Sequence, residues 1–319
     1  MVNEKKLIVS HAPFWHNGSS LFEKNCNIMI AALPAVLFGF TQYGIHAVGC
    51  VSICISTAII WELLFNLISK QQISVGDCDA AVIGLLFSML IPATTPWWAA
   101  VTGTFVAIII GKQIYGGIGS NPFNPVLIGL AILMISWKDL FDFNEALLNY
   151  DLGFTMVYPL AALKHFGISS IESFSVGSFI AGKQIGAIGS TFGIGIIVGG
   201  IYLILRGIIR WEISVSFLAG IFITAFLFNL SDSAIYAGPL FHIFTGYTLI
   251  GAFFLATEDS SSPVNFLPML IYGAGCGIMT VLIRNVGAYV DGVVFAILLM
   301  NLANPLIDKI RPRAMGKVN

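Results

Sequence analysis

The chain has 319 residues, 57% of them hydrophobic and only 10% charged, whereas a soluble domain carries about a quarter charged residues. Water is therefore not its main solvent. Fifteen Lys and Arg against sixteen Asp and Glu leave a formal charge of −1, so no excess of basic charge suggests nucleic acid and no acidic tail suggests a charged partner; the placement of the charges is more informative than their sum.

Residues 1–26 mix Lys5, Lys6, His11, His16 and Lys24 with Pro and Gly. They lack the charged-then-apolar pattern of a cleaved signal and read as a retained cytoplasmic segment. Ten apolar stretches follow, near 27–43, 45–68, 79–92, 96–115, 124–137, 192–207, 213–230, 241–257, 265–284 and 290–307. A bilayer core about 30 Å thick needs about 20 apolar residues per helix, because backbone amides must pair internally where water is absent. The expected fold is an all-α polytopic membrane protein of about ten transmembrane helices, the third and fifth short unless lengthened or broken.

With the N-terminus inside, Lys5, Lys6, Lys24, Lys70, Lys112, Arg206, Arg210, Lys309, Arg311, Arg313 and Lys317 fall on the cytoplasmic side. Only Lys138, Lys164, Lys183 and Arg284 fall outside. Eleven against four fits the positive-inside bias. Both termini, including the basic tail 308–319, are then cytoplasmic, and the long hydrophilic excursion 138–191 is external. Aligning residues 84–134 with 251–300 sets Pro96 on Pro263 and GLAILM beside VFAILLM. Two five-helix repeats, 27–137 and 192–307, hold an odd number of spans each and are expected to be inverted, as in many transporters.

The densest motif is Gly111-Lys-Gln-Ile-Tyr-Gly-Gly-Ile-Gly-Ser-Asn-Pro-Phe-Asn-Pro125, with four glycines and two Asn-Pro pairs between the fourth and fifth spans. Proline removes a donor and restricts its predecessor, so Asn121 and Asn124 are placed at a non-helical start to span five. Two amides there either pair with the polar edge of a heterocycle or simply cap a helix after a tight loop. Glu62 lies in an apolar span, where burying a carboxylate costs at least about 2.5 kcal/mol unless it is paired or protonated. It reads either as a station for ion or proton passage or as an interfacial carboxylate near Lys70.

Asp77 and Asp79 open the third span, and Glu258 and Asp259 end the eighth at a corresponding place in the second repeat. The helix dipole favours the first pair and disfavours the second. Asp291 reads as the N-cap of the last span, Trp97 and Trp98 as interfacial anchors, and His242 as an interfacial hydrogen-bonding residue with no second His or Cys at metal spacing. The five cysteines form no Cys-x-x-Cys pair and read as free buried thiols.

The stretch from Asp77, DCDAAVIGLLFSMLIPATTPWWAAVTGTFVAIIIGKQIYGGIGSNPFNPVLIGLAILMISW, resembles the central part of the RnfD/NqrB family. Residues 242–308, with GAFFLATEDSSSP and DGVVFAILLMNLANPLID, resemble its C-terminal part. The resemblance covers nearly the whole chain, and the start Ser10–Pro13 looks closer to the RnfD branch. It implies a subunit, inactive alone, of a ferredoxin:NAD oxidoreductase in the bacterial cytoplasmic membrane. That complex is coupled to Na+ or H+ transport, holds flavin, and is assembled with Rnf subunits of the C, G, E, A and B types. By resemblance, Lys112, Gly117, Gly119, Asn121 and Asn124 are candidates for a noncovalent membrane flavin, riboflavin or FMN. Glu62, with Asp77, Asp79, Glu258 and Asp259, is a candidate for the ion pathway.

One part of the family pattern is altered. Family members carry FMN through a phosphoester on Thr in Asp-x-x-Ser/Thr-Gly-Ala-Thr, but here residues 150–164 read YDLGFTMVYPLAALK. Tyr158 stands at the acceptor position, Met156-Val157 replaces Gly-Ala, and Thr155 is the nearest hydroxyl of the right type. Three functions are compatible with this pattern: a redox-driven translocase subunit, a channel or secondary transporter of the same architecture, and a flavin-free structural paralogue. A channel of paired half-helices would be expected to carry Asn-Pro in both repeats. The second repeat has Ala288-Tyr289-Val290-Asp291 instead, which favours a one-sided cofactor site.

Overall fold

The computed structural model describes residues 20–171 and 174–310. The basic residues Lys5, Lys6, Arg311, Arg313 and Lys317, His11, His16 and the start Ser10–Pro13 lie outside them. Among the described residues there is no strand.

Helix α1 (Leu21–Tyr43) is capped by Ser20, whose hydroxyl accepts from the Glu23 N–H. It begins six residues before the predicted start of the first span. After α2 (Ile45–Ile68) comes the short α3 (Asp79–Ser88), then α4 (Trp97–Phe105), which runs on through a π-helical turn at Val106–Ile110. Next is α5 (Pro125–Ser136). Three short helices, α6 (Phe143–Ala146), α7 (Pro159–Phe166) and α8 (Val176–Ile180), fill the long connection to α9 (Gly193–Leu205). The chain ends with α10 (Trp211–Ser231), α11 (Pro239–Phe244), α12 (Thr248–Ile250), α13 (Phe266–Asn285) and α14 (Val293–Ile307), with a second π-helical turn at Gly251–Leu255.

Five of these segments are long and apolar enough to cross a membrane: Leu21–Tyr43, Ile45–Ile68, Trp97–Tyr115, Trp211–Ser231 and Phe266–Asn285. Four apolar helices, α3, α5, α9 and α14, are shorter. The predicted continuous stretch 241–257 is broken between α11 and α12. Gly246 sits there at φ +66°, and a Cβ on it would lie 2.2 Å from an Asp291 carboxylate oxygen, so backbone and a buried acid meet where no side chain fits.

Close backbone contact holds the bundle together. A Cβ on Gly277 of α13 would fall 2.3 Å from the Phe217 carbonyl of α10, and one on Gly199 of α9 would fall 2.1 Å from the Ala31 carbonyl of α1. Small residues at such crossings let helices pack by dispersion where lipid supplies no hydrophobic drive. Large apolar side chains remain exposed outside the bundle, including Phe222, Ile223, Phe226, Leu227 and Leu230 on α10, as a lipid-facing helix requires.

The predicted hydrophilic excursion 138–191 differs at its end. Residues 184–191 are buried, and the N–H groups of Ile188 and Gly189 donate to the carbonyls of Ile91 and Met89 at 3.2 and 3.0 Å. The non-helical run after α3 leaves those carbonyls without helical partners, and this returning segment satisfies them.

Candidate functional site

The Gly-rich run after α4 folds back sharply because Gly116, Gly117 and Gly119 all take positive φ (109°, 93° and 81°), a region open to glycine. The turn delivers Asn124 to the start of α5. Its Oδ1 accepts from the N–H groups of Val126 and Leu127 at 2.9 and 3.3 Å, and Pro125 follows at the first helical position. Asn124 is thus the cap that physical chemistry prefers there. Its Nδ2 also donates to the Leu255 carbonyl at 2.9 Å. Asn121 Nδ2 donates to the Phe123 carbonyl and to Glu258, at 3.0 and 2.9 Å, while its Oδ1 accepts from Ser260. The two Asn-Pro amides therefore fasten the first half of the molecule to the unwound segment that follows Leu255 in the second half.

Lys112, 1% exposed, stands at the centre of this end. Its ammonium lies 2.9 Å from Glu62 and 2.8 Å from Asp79, so the only cation in the cluster is shared by two carboxylates on α2 and α3. Glu62 Oε1 also accepts from Ser74 at 2.6 Å, and Ser74 accepts from Asn66. Glu62 Oε2 is buried without a partner. The Lys70 neighbourhood considered from sequence is not where Glu62 finds its counter-charge.

The remaining acids divide by exposure. Asp77 Oδ1 accepts the Asp79 N–H at 2.9 Å and steadies the start of α3; burial raises its carboxyl above the ordinary range. Glu258 is half-buried, and burial raises it too, against the lowering effect of hydrogen bonds from Ser260, Ser261 and Asn121. Asp259 is exposed and pairs with Lys24 of α1.

Lys112, Asp79, Gly119, Asn121, Asn124, Glu258 and Asp259 line one cavity of about 370 Å³, whose apolar wall includes Ile83, Leu86, Phe253 and Phe254. Glu62 joins it through Lys112, and Gly117 does not line it. This volume falls within the ordinary range of small-molecule sites, about 300 to 1,000 Å³. The combination of an apolar wall and a polar rim fits a planar heterocycle. A Cβ at Gly119 would meet nothing within 4 Å, so that wall is open space bounded by backbone. Thr155 and Tyr158 belong to the connection beyond Ser136, at the far end of α5; Tyr158 is buried there and Thr155 is exposed.

Two features escape a sequence reading. Arg284, counted from sequence as an external loop cation, is buried. Its Nε and Nη2 donate to Asp291 at 3.3 and 3.0 Å, Nη1 donates to the His242 carbonyl, and Nη2 also reaches the Thr245 carbonyl and Thr248 Oγ1. Asp291 in turn accepts from the Val293 and Tyr247 N–H groups; the N-cap of α14 is Gly292 and not Asp291 as expected, so the carboxylate holds the first N–H of α14 from one residue further back and also locks the break between α11 and α12. His242, expected to be an interfacial hydrogen-bonding residue, is fully buried with neither ring nitrogen partnered. The second feature is the buried return segment, whose signal is a repeat of Gly-Lys-Gln-Ile at 182–185 from 111–114. Gln184 there donates to the Phe244 carbonyl at 2.9 Å.

The sequence profile of the NQR2, RnfD, RnfE family matches residues 8–316. The D subunit of the Na(+)-translocating ferredoxin:NAD(+) oxidoreductase complex of Acetobacterium woodii is 36% identical over 312 residues, covering 97% of this chain and 94% of that protein. The D subunit of the proton-translocating ferredoxin:NAD(+) oxidoreductase complex of Clostridium ljungdahlii is 34% identical over 308 residues, covering 94% and 93%. The D subunit of an ion-translocating oxidoreductase complex of Sodalis glossinidius is 33% identical over 340 residues, covering 97% and 98%. A profile match across almost the whole chain, joined to relatives above 30% identity over more than nine-tenths of each partner, places this protein in the NQR2, RnfD, RnfE family.

Proposed function

We propose that the chain is the D-type membrane subunit of an Rnf-type oxidoreductase that couples electron transfer between ferredoxin and NAD to Na+ or H+ transport. It works in the bacterial cytoplasmic membrane beside subunits of the C, G, E, A and B types. The observation that carries the reading is the buried Glu62–Lys112–Asp79 cluster, in which one ammonium serves two carboxylates and Glu62 Oε2 has no partner. A buried surplus negative charge is costly unless it is compensated. A proton or Na+ at Glu62 is the compensation this site invites.

A flavin, riboflavin or FMN, held without a bond in the adjoining cavity would supply reversible electron uptake. Asn121, Asn124, Gly119 and Lys112 are the residues that would bound it, with Gly117 shaping the turn behind them. The coupling then belongs to Lys112, which touches both the cavity and the carboxylates. Two unit charges about 4 Å apart interact by about 4 kcal/mol at an effective dielectric of about 20. Negative charge on a group bound in the cavity would compete for the Lys112 ammonium, so that Lys112 would loosen its hold on Glu62 and favour cation uptake there; without that charge Lys112 holds Glu62 as a pair. Asp79, Glu258, Asp259 and Asp77 lie along the same end as the approach from the cytoplasm.

The finer architecture is part of the same proposal: ten spans in two inverted five-helix repeats, with both termini and the Lys112 cluster on the cytoplasmic side and residues 138–191 outside. In support, the non-helical runs that follow α3 and the π-helical turn at Gly251–Leu255 contain Pro96 and Pro263, each shortly before a long helix, and α1 packs on α9, its counterpart in the other repeat. The test is the intact complex carrying Glu62→Gln in vesicles. NAD reduction by ferredoxin should continue while Na+ or H+ uptake falls at least about tenfold, a change of about 1.4 kcal/mol. Unchanged uptake would refute the role of Glu62, and uptake without ferredoxin would reassign the chain to a passive channel.

A further inference from the structure

A second cavity, of about 350 Å³, opens at the far end of α5 and is walled by Phe143, Tyr158, Tyr247 and Tyr289. The Phe143 ring lies 4.8 Å from Tyr158 and 6.5 Å from Tyr247. Tyr158 is the residue that stands, by family resemblance, where a threonine would take a phosphoester-linked FMN.

Three observations oppose such a linkage here. Tyr158 is 4% exposed, its backbone is held at the N-cap of α7 with its N–H donating to Asn144 Oδ1 at 2.8 Å, and its ring packs on Phe143. Burial, together with the nearby Asp291, pushes its phenol well above the ordinary range, which keeps the oxygen protonated and a poor nucleophile. Thr155 is exposed and does not line the cavity. The rim adds a charge argument: Asp139, Asp142 and Glu145 face Lys138 and His165, so an incoming phosphate meets three carboxylates and a single permanent cation.

We propose that this chain carries no phosphoester-linked flavin and that its outer cavity takes instead an uncharged, planar, conjugated ring held without a covalent bond. The aromatic walls supply offset and edge contacts to such a ring. The Tyr158 hydroxyl, which has no protein hydrogen-bond partner among the described residues, supplies a donor at its edge. The inference rests on the family reading above for the meaning of the Tyr158 position, and it is independent of what the Lys112 cavity holds.

The test uses the purified intact complex. Peptide mapping of residues 138–191 by mass spectrometry should show no flavin increment; an FMN increment on Thr155 or Tyr158 overturns the proposal. Flavin-stripped complex is then titrated with riboflavin and, separately, with FMN, following quenching of flavin fluorescence. Riboflavin should show a saturable component that Ala288→Trp, which fills the outer cavity, removes and that Asn121→Leu leaves in place, with FMN at least about tenfold weaker for it. Tyr158→Phe, nearly isosteric, should weaken the same component several-fold, which covers the case that the tryptophan variant does not fold. Equal affinity for FMN, or no riboflavin component sensitive to Tyr158 or Ala288, overturns the proposal. Loss of every Asn121-sensitive component with the outer one retained would instead sink the Lys112-cavity flavin alone.

Discussion

The two buried charge clusters, one at each end of the molecule, use the same chemistry for opposite ends. At Lys112, one ammonium is divided between Glu62 and Asp79, and an oxygen of Glu62 is left unpaired. At Arg284, one guanidinium meets one carboxylate, both Asp291 oxygens accept backbone N–H groups as well, and three oxygens of the α11–α12 break are tied in. A neutral, fully bonded pair resists change, whereas a cluster with surplus charge and a free acceptor is the arrangement that the proposed cation uptake requires. Arginine suits the first task because its planar fork serves several acceptors at fixed angles, and lysine suits the second because it is a point charge on a flexible stem.

The contrast breaks most visibly at Arg284. Arg284→Met leaves Asp291 as an uncompensated buried charge and unties the break between α11 and α12, and it should destabilise the protein by about 3–5 kcal/mol, read as thermal unfolding of the purified complex. Lys112→Met should cost a similar or smaller amount, but with a different signature. Adding Glu62→Gln removes one of the two stranded charges and should recover part of the loss, whereas Glu62→Gln should not rescue Arg284→Met. Equal rescue of both would show that the clusters do not differ as their geometry indicates.

Asn124→Ala sharpens the same comparison at lower energy. It removes the cap of α5, worth about 1 kcal/mol, together with the bond to the Leu255 carbonyl that joins the halves. A total of about 2 kcal/mol is expected, the cap plus one net hydrogen bond. Hydrogen exchange should quicken at the start of α5 and at residues 253–260 together; quickening at α5 alone would reduce Asn124 to a local cap.

What can be read in the sequence follows from how local each signal is. The turn at 111–125 is legible because glycine, asparagine and proline dictate backbone within a few residues, and Glu62 stands out as a carboxylate among apolar neighbours. Its partner does not, since Lys112 lies fifty residues away and looks like one more positive-inside loop residue. Arg284 and Asp291 are hidden for the same reason, each resembling a solvated end of a span. The break at 245–247 leaves no mark in a hydropathy average because Thr-Gly-Tyr is short and only mildly polar. Residues 184–191 read as external loop because their flanks are polar, although Ile185, Ala187 and Ile188 already carry the apolar character of a buried segment.

Glu258 gives the smallest effect and the one that reads the Lys112 end directly. Burial raises its carboxyl above the ordinary value, with hydrogen bonds from Ser260, Ser261 and Asn121 opposing. A group whose folded value lies above its unfolded value contributes stability that is full below the unfolded value and is lost as pH rises through the folded one. Raising pH from about 4 upward, across the ordinary glutamate range, should therefore lower the unfolding temperature through this group. Glu258→Gln should flatten that slope while keeping the amide and hydroxyl contacts largely in place. Asp77, also raised by burial, adds a slope of the same sign, so Glu258→Gln should reduce the dependence without abolishing it, and Glu258→Gln with Asp77→Asn should reduce it further. At the other end, Asp139, Asp142 and Glu145 line an open rim, and neutralising them should leave the slope unchanged. A slope that responds to the rim acids and not to Glu258 would move the proton-sensitive site away from the Lys112 cavity altogether.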